Sequence, residues 1–142
     1  MAKYLAESGV FFVANFVNSV QTGNLLFLSG NGPLKADGKF ITGKLGADLT
    51  IEEGYEAARI TGINQLGVIK NAIGDLSRVK RIVRVTGMVN ASPDFTQHPS
   101  VVNGFSDLMV AVFGKKGKHK ADNIFKNQQG YVSPFTRVRK VH

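Results

Sequence analysis

Residues 50–90 read TIEEGYEAARITGINQLGVIKNAIGDLSRVKRIVRVTGMVN, and this stretch decides the fold. Its first half repeats apolar or small residues at steps of three and four, which predicts one long amphipathic helix. Thr50 followed by Glu53 is a capping box, so the helix begins there, and Gly74 with Asp75 ends it. The stripe that we expect to be buried consists of Tyr55, Ala58, Gly62, Leu66, Ile69 and Ile73.

Three glycines lie inside this predicted helix, at positions 54, 62 and 67. Each costs about 1 kcal/mol relative to alanine in a helix interior. Gly54, Gly62 and Gly67 therefore indicate either a close approach of the helix backbone to a sheet or a weakness that the fold tolerates.

The second half of the stretch, residues 79–90, alternates as a strand does. The face toward the helix is expected to carry Val79, Arg81, Val83, Val85, Gly87 and Val89. The opposite face is expected to carry Lys80, Ile82, Arg84, Thr86 and Met88. This opposite face is only half polar.

The residues before the helix predict a strand, a turn and a second strand. Residues 16–21 alternate, Gly23 and Asn24 are typical turn residues, and residues 25–28 form the unbroken apolar run LLFL. An unbroken apolar run is typical of a strand that is covered on both faces. A short strand through Phe40 and Ile41 is expected next.

The residues after the strand predict a second helix that starts near Pro99 and stops at Gly114. Its apolar stripe is expected to pack in the core rather than bind a cofactor, and it consists of Val101, Val102, Phe105, Leu108, Met109, Val112 and Phe113. Residues 121–129 show little pattern. Residues 131–141 alternate imperfectly, which is compatible with a terminal edge strand or with a disordered tail.

The element order predicts a single α+β domain over residues 1–142, with two helices packed on one face of a mixed sheet. Two helices can cover only one face. The opposite face then needs a second apolar surface against it, because it carries part of the run at residues 25–28 and the apolar residues Ile82 and Met88. A homo-oligomer is the simplest source of that surface.

Charge and composition exclude several classes of function. Residues 115–142 hold eight Lys or Arg against one acidic residue, whereas residues 1–114 hold ten against nine. This basic segment favours a solvated tail, with RNA as the alternative partner, because aromatic residues are not interleaved with the charges. The absence of cysteine excludes disulfides and thiolate sites and is compatible with a cytoplasmic location.

Membrane, metal and cofactor sites find no support in the sequence. No apolar run reaches the length of a membrane helix, and residues 10–13 are too short an apolar run for a signal, so we expect them to be folded. The three histidines, His98, His119 and His142, are too scattered to indicate a metal site. We expect neither a metal nor a cofactor.

Several short motifs together resemble one known family. They are LLFLSGNGP at 25–33, GKLG at 43–46, EGYEAAR at 53–59, VKR at 79–81, GMVN at 87–90, PDF at 93–95 and VNG at 102–104. With these motifs the chain resembles the YjgF/Rid family, whose members are also called endoribonuclease L-PSP or translation inhibitor. The resemblance covers roughly residues 15–119.

The resemblance implies a chorismate-mutase-like fold, a homotrimer with clefts between subunits, and a hydrolase activity. Members of the family act as enamine and imine deaminases, which convert reactive intermediates to 2-oxo acids and ammonia. Transferred to this sequence, the resemblance places Phe16, Ser29, Gly30 and Asn103 in a cleft for a small carboxylate or imine. Each of these four residues also has a structural interpretation, as core, strand end or surface.

The sequence departs from the family pattern after His119. An arginine is expected on the strand after the second helix, but residues 120–123 read KADN. A glutamate is expected on the last strand, where Arg137 and Arg139 stand instead. Lys120 and His119 complete the predicted cleft, with Lys118 or Lys120 as a point charge for a carboxylate. Residues 120–142 thus form a divergent basic segment, an abrupt change that is also typical of a reading-frame shift. The alternative to a deaminase is a non-catalytic trimer that binds small carboxylates or RNA.

Overall fold

The computed structural model describes residues 16–125 and 133–140, with side chains as far as residue 120. Strands β1 (Ser19–Thr22) and β2 (Leu25–Leu28) are followed by helix α1 (Ile51–Ile73) and strand β3 (Val79–Val89). Helix α2 (His98–Phe113) and strands β4 (Lys120–Phe125) and β5 (Ser133–Lys140) complete the described elements. Two short 3₁₀ helices, Leu76–Arg78 and Gly114–Gly117, follow the two α-helices.

The five strands form one mixed sheet in the order β1-β2-β5-β3-β4. Neighbouring strands are antiparallel except β3 and β4, which are parallel. Strand β5 therefore lies inside the sheet, so the prediction of a terminal edge strand or a disordered tail was wrong for residues 133–140. Sequence patterns could not give this position, because β5 pairs with strands far away in the chain.

Helix α1 has the predicted bounds. Thr50 accepts a hydrogen bond from the backbone N–H of Glu53 at 3.2 Å, and its hydroxyl also donates to the Glu53 carboxylate at 3.3 Å. Gly74 ends the helix with φ at +86° and donates its N–H to the Lys70 carbonyl. Local capping groups fix both ends, which explains why the sequence alone could locate them.

Two of the three helix glycines mark close packing, although not against the sheet. A Cβ at Gly54 would lie 2.7 Å from a Leu45 methyl group, and one at Gly62 would lie 2.8 Å from a Leu108 methyl group of α2. Gly67 has open space around it. The close approach is thus made by α2 and by the loop before α1, and Gly67 is the tolerated weakness.

Strand β3 departs from the simple alternation that its sequence predicts. Its pairing with β5 shifts register between Val79 and Arg81 and again between Ile82 and Arg84. These irregularities turn Ile82 into the core, leave Val83 37% exposed and put Arg81 in register with Arg139 on the other face, so the predicted faces of all three residues were wrong. Beyond them the predicted alternation holds, with Val85, Gly87 and Val89 buried.

Both helices pack on one face of the sheet and enclose the core. Helix α2 begins one residue before the predicted Pro99 and stops at Gly114 as expected. Val112 is 43% exposed and does not belong to the core, contrary to the predicted stripe. The core cluster comprises Leu26, Leu28, Leu45, Ala58, Val68, Ile69, Ile73, Val79, Ile82, Val85, Val89, Val101, Val102, Phe105 and Met109.

The other face of the sheet is not covered by the described residues. Leu26 and Leu28 face the helices and are buried, whereas Leu25 is 39% exposed and Phe27 is half-buried. Met88 on β3 is also half-buried. The apolar run of β2 is therefore covered on one face by its own chain, and its second face still lacks the dry surface that the sequence predicts.

The remaining predictions concern the segment around Phe40 and the two ends of the chain. The short strand predicted through Phe40 and Ile41 is present only as one isolated β-bridge between Leu34 and Phe40. Residues 10–13 and His142 lie outside the described part of the chain. Within residues 16–125 and 133–140, none of the helices has the length and apolar character that crossing a membrane requires.

Candidate functional site

Five of the six residues predicted for the cleft fall into two groups at opposite ends of the sheet, and the sixth, Asn103, lies on α2. Phe16 and the pair Ser29 and Gly30 lie beside β1 and β2, which form one end of the strand order. Lys120 opens β4 at the other end, and His119 directly precedes it. The strands β2 and β4 are three inter-strand spacings apart, or roughly 14 Å. Within the part of one copy that the structure describes, the two groups are too far apart to contact the same small molecule.

Hydrogen bonds from Ser29 join the end of β2 to the residues that lead into β1. The Ser29 hydroxyl donates to the Val17 carbonyl at 2.5 Å, and the Ser29 N–H donates to the Asn18 carbonyl at 2.9 Å. Phe16 precedes these residues and is exposed. The predicted proximity of Phe16 to Ser29 and Gly30 is therefore compatible with the backbone path.

Helix α1 fixes the loop that follows Ser29. The Gln65 side chain is fully buried, and its amide donates to the Ser29 carbonyl at 2.9 Å. One residue earlier, the Asn64 amide donates to the carbonyls of Gly32 at 3.2 Å and Leu34 at 3.0 Å. A helix thus positions the loop, and no motif in the sequence indicates this role for either amide.

His119 faces the helix layer rather than the uncovered sheet face. Its Nε2 lies 2.9 Å from the Ser106 hydroxyl, and its Nδ1 lies 3.2 Å from the Lys120 carbonyl. A carbonyl can only accept, so Nδ1 carries the proton and Nε2 accepts from Ser106. Burial lowers the pKa of His119, while the hydrogen bond to the Lys120 carbonyl acts in the opposite direction.

These contacts separate His119 from Lys120. The imidazole ring packs edge-to-face against Phe105 of α2, with ring centroids 6.5 Å apart, and so links α2 to the start of β4. Lys120 is exposed and belongs to the strand itself. Since successive strand residues face opposite sides, Lys120 lies on the uncovered side of the sheet.

A row of basic residues crosses this uncovered side. The Cα partner of Lys120 on β3 is Arg84, and the partner of Arg84 on β5 is Arg137, which in turn pairs with Phe27 on β2. A second row places Leu25 beside Arg139 and Arg139 beside Arg81. The alternation of β3 already placed Arg84 on this face, but only the strand order reveals its neighbours.

Asn103 and a surface cavity near the end of α2 add little to the predicted cleft. Asn103 lies exposed on α2, one turn before Ser106. A cavity of about 310 Å³ lies elsewhere and contains none of the predicted residues; Leu76, Ser77, Val79, Val112, Phe113 and Lys116 line it. In the part of the chain that the structure describes, no three His, Asp or Glu residues cluster as metal ligands would.

Comparison with known proteins gives consistent similarities. A family model described as "YjgF/chorismate_mutase-like, putative endoribonuclease" matches residues 6–137. Protein TCP17 of Trypanosoma cruzi is 44% identical over 106 residues, which are 74% of this chain and 66% of TCP17. The matched region thus spans about two thirds of that relative's length.

Two solved structures are similar over nearly the whole chain. The protein Atu1372 from Agrobacterium tumefaciens, described as of unknown function, is 31% identical with a TM-score of 0.85 and covers 99% of this chain and 92% of its own. A "putative endoribonuclease" from Shewanella oneidensis is 29% identical with a TM-score of 0.85 and covers 97% of both chains. The family match and the overall similarity to these two structures agree, and this chain belongs to the YjgF/chorismate mutase-like family.

Proposed function

We propose that copies of this chain assemble into a homotrimer and bind small carboxylate-bearing imines or enamines in clefts between subunits. At each cleft the bound imine is hydrolysed to a 2-oxo acid and ammonia, the activity that the family resemblance implies. The proposed setting is the cytoplasm, with which the absence of cysteine is compatible.

The observation that carries this proposal is the separation of the predicted cleft residues. Ser29 lies at the β1–β2 end of the sheet and Lys120 at the β4 end, roughly 14 Å away across three strand spacings. If β2 of one copy approaches β4 of the next, the two groups meet at a seam. The uncovered face around Leu25 and Phe27 supplies an apolar surface for such an assembly.

The basic row supports a carboxylate as the bound group. Strand β4 has the sequence KADNIF and lacks the arginine that the resemblance leads us to expect. Arg84 on the adjacent strand is the register partner of Lys120, so a guanidinium and an ammonium occupy neighbouring positions. A guanidinium can bind a carboxylate through two parallel hydrogen bonds, and the ammonium adds charge. Imine hydrolysis then requires an oriented water and a proton transfer.

Activity can be tested by generating the enamine in place. A pyridoxal-phosphate-dependent dehydratase supplies the unstable intermediate, and the 2-oxo acid is followed with and without the protein. We expect faster release with the protein, and a loss of about tenfold or more in Arg84→Lys, which keeps the charge but not the fork. Binding of a stable 2-oxo acid without faster release would instead indicate a non-catalytic carboxylate-binding protein.

The shared cleft can be tested by mixing two inactive variants. Ser29→Leu blocks the β2 side and Lys120→Glu reverses the charge on the β4 side. After dissociation and reassembly of an equal mixture, about one quarter of the seams combine two unaltered sides, so activity should recover to about that fraction. A mixture that remains inactive, while each variant still assembles, would place the site within one copy.

A further inference from the structure

The cavity of about 310 Å³ near the end of α2 lies on the helix side of the sheet, away from the proposed cleft. It opens between the 3₁₀ helix that follows α1, the first residue of β3 and the last turn of α2 with the loop beyond it. Val79, its most buried lining residue, is 1% exposed and belongs to the core. Sites that hold small molecules enclose about 300–1,000 Å³, so this cavity is large enough to be a binding site of its own.

Apolar side chains form most of the cavity wall, and several of them are incompletely covered. Val112 is 43% exposed although it lies on the predicted apolar stripe of α2. Leu76 and Phe113 are half-buried. Apolar surface in contact with water costs free energy in proportion to its area, so an apolar group that covers it binds favourably. The wall therefore suits an occupant with an apolar body.

Lys116 is the one charged residue among those that line the cavity. Within residues 16–120, whose side chains are described, no carboxylate forms an ion pair with it. Ser77, the other polar lining residue, is already engaged with Asp75: its N–H donates to the Asp75 carboxylate at 2.8 Å, and its hydrogen bonds lower the pKa of that carboxyl. Lys116 is thus the group that is free to bind a charged part of an occupant.

We propose that this cavity binds a small amphipathic carboxylate, whose apolar chain covers Val112 and Phe113 and whose carboxylate contacts Lys116. The site lies apart from the proposed cleft and does not depend on the assembly of copies.

The local charges favour an anion over a cation. Lys115, Lys116 and Lys118 place three positive charges within four residues, and none of the described lining residues is acidic. The carbonyl end of α2 lies at Phe113 and opposes an anion with the equivalent of about half an elementary charge. The full charge of Lys116 outweighs that opposition, and its neighbours add to it.

Calorimetric titration with three probes separates the contributions of the chain and of the charge. We expect octanoate to bind saturably, with one molecule per chain. Acetate keeps the charge without the chain and should bind at least about tenfold more weakly, because each buried methylene group contributes to affinity. Octanamide keeps the chain without the charge and should bind about threefold more weakly, since Lys116 is exposed and its ion pair is partly screened.

Two pairs of variants provide matched controls. Val112→Phe fills the cavity and should weaken octanoate binding at least about tenfold, whereas Val110→Phe, a 37% exposed position on the same helix that does not line the cavity, should not. Lys116→Gln should abolish the preference for octanoate over octanamide, whereas Lys115→Gln, its exposed neighbour outside the lining, should retain it. All four positions are exposed, so each variant should fold.

Amide chemical shifts locate the bound octanoate, which matters because the proposed cleft is also a site for carboxylates. We expect the shift changes at residues 76–79 and 112–116. Changes confined to the surroundings of Ser29 and Lys120 would place octanoate in the cleft and overturn the inference, while leaving the proposed function intact.

Two other results would also contradict a site in this cavity. One is an equal loss of octanoate affinity in Val112→Phe and Val110→Phe. The other is binding of the protein to vesicles that contain an anionic phospholipid, without any binding of octanoate, which would mean that the lysines serve a membrane surface and that the cavity stays empty of ligand.

Discussion

Gly104 allows the two helices to meet through their backbones. A Cβ at this position would collide with the carbonyl oxygen of Tyr55 on α1, which is a backbone atom and cannot rotate away. We expect Gly104→Ala to destabilise the fold by about 2–4 kcal/mol, because the helices must separate. Gly67→Ala is the matched control, since its Cβ meets open space, and it should stabilise by about 0.5–1 kcal/mol. Urea unfolding at one fixed protein concentration measures both, and equal signs would refute the packing argument.

His119 makes the stability depend on pH in a defined direction. Burial lowers its pKa below the ordinary value of 6.5, so the unfolded chain takes up the proton more readily than the folded chain. The contribution of the neutral ring is fully present above 6.5 and is lost as the pH falls through the folded-state pKa.

We therefore expect the melting temperature to fall more steeply in the unaltered chain than in His119→Gln as the pH drops below 6.5. The glutamine keeps a polar partner for Ser106 without the titration. Thermal unfolding followed by circular dichroism over this range checks the difference. Parallel slopes for the two proteins would contradict a linkage through His119.

At the scale of whole elements, local signals were predictable and long-range pairing was not. The bounds of α1 follow from Thr50 and Gly74, which act within one helical turn. The irregularities in β3 invert the faces of Ile82 and Val83, and their cause is the pairing with β5, about fifty residues further along the chain. The residues of the two candidate groups, at Ser29 and at Lys120, could likewise be predicted from the sequence. The distance between the groups could not, because it depends on the strand order.

The link between α1 and the end of β2 gives a prediction for an element. Gln65→Met keeps a side chain of similar length but removes the donor to the Ser29 carbonyl. A buried carbonyl without a donor costs about 1–3 kcal/mol, and the loss should appear first as faster amide exchange in residues 29–34. Asn71→Met changes an exposed amide on the same helix and serves as the control. Unchanged exchange in Gln65→Met would mean that the loop is held by other contacts.

At the scale of the whole molecule, the two faces of the sheet differ in how they are covered. The helix side is sealed by residues of the same chain, among them Ile69, Phe105 and Met109. The other side combines half-covered apolar residues with rows of basic ones. The proposed cleft between copies would use this second side, which the described residues leave uncovered.

Leu25 and Ile63 allow the role of the uncovered face to be tested with two equivalent changes. Leu25 is 39% exposed on the sheet face and Ile63 is 45% exposed on α1, so a single copy should tolerate lysine at either position with little change in stability. We expect Leu25→Lys to lower the molar mass measured by light scattering, because it adds a charge where copies must meet. Ile63→Lys should leave the mass at the same multiple of 15.4 kDa as the unaltered chain. If the helix-side variant dissociates and the sheet-side variant does not, copies associate through the helices, and the proposed seam between β2 and β4 is wrong.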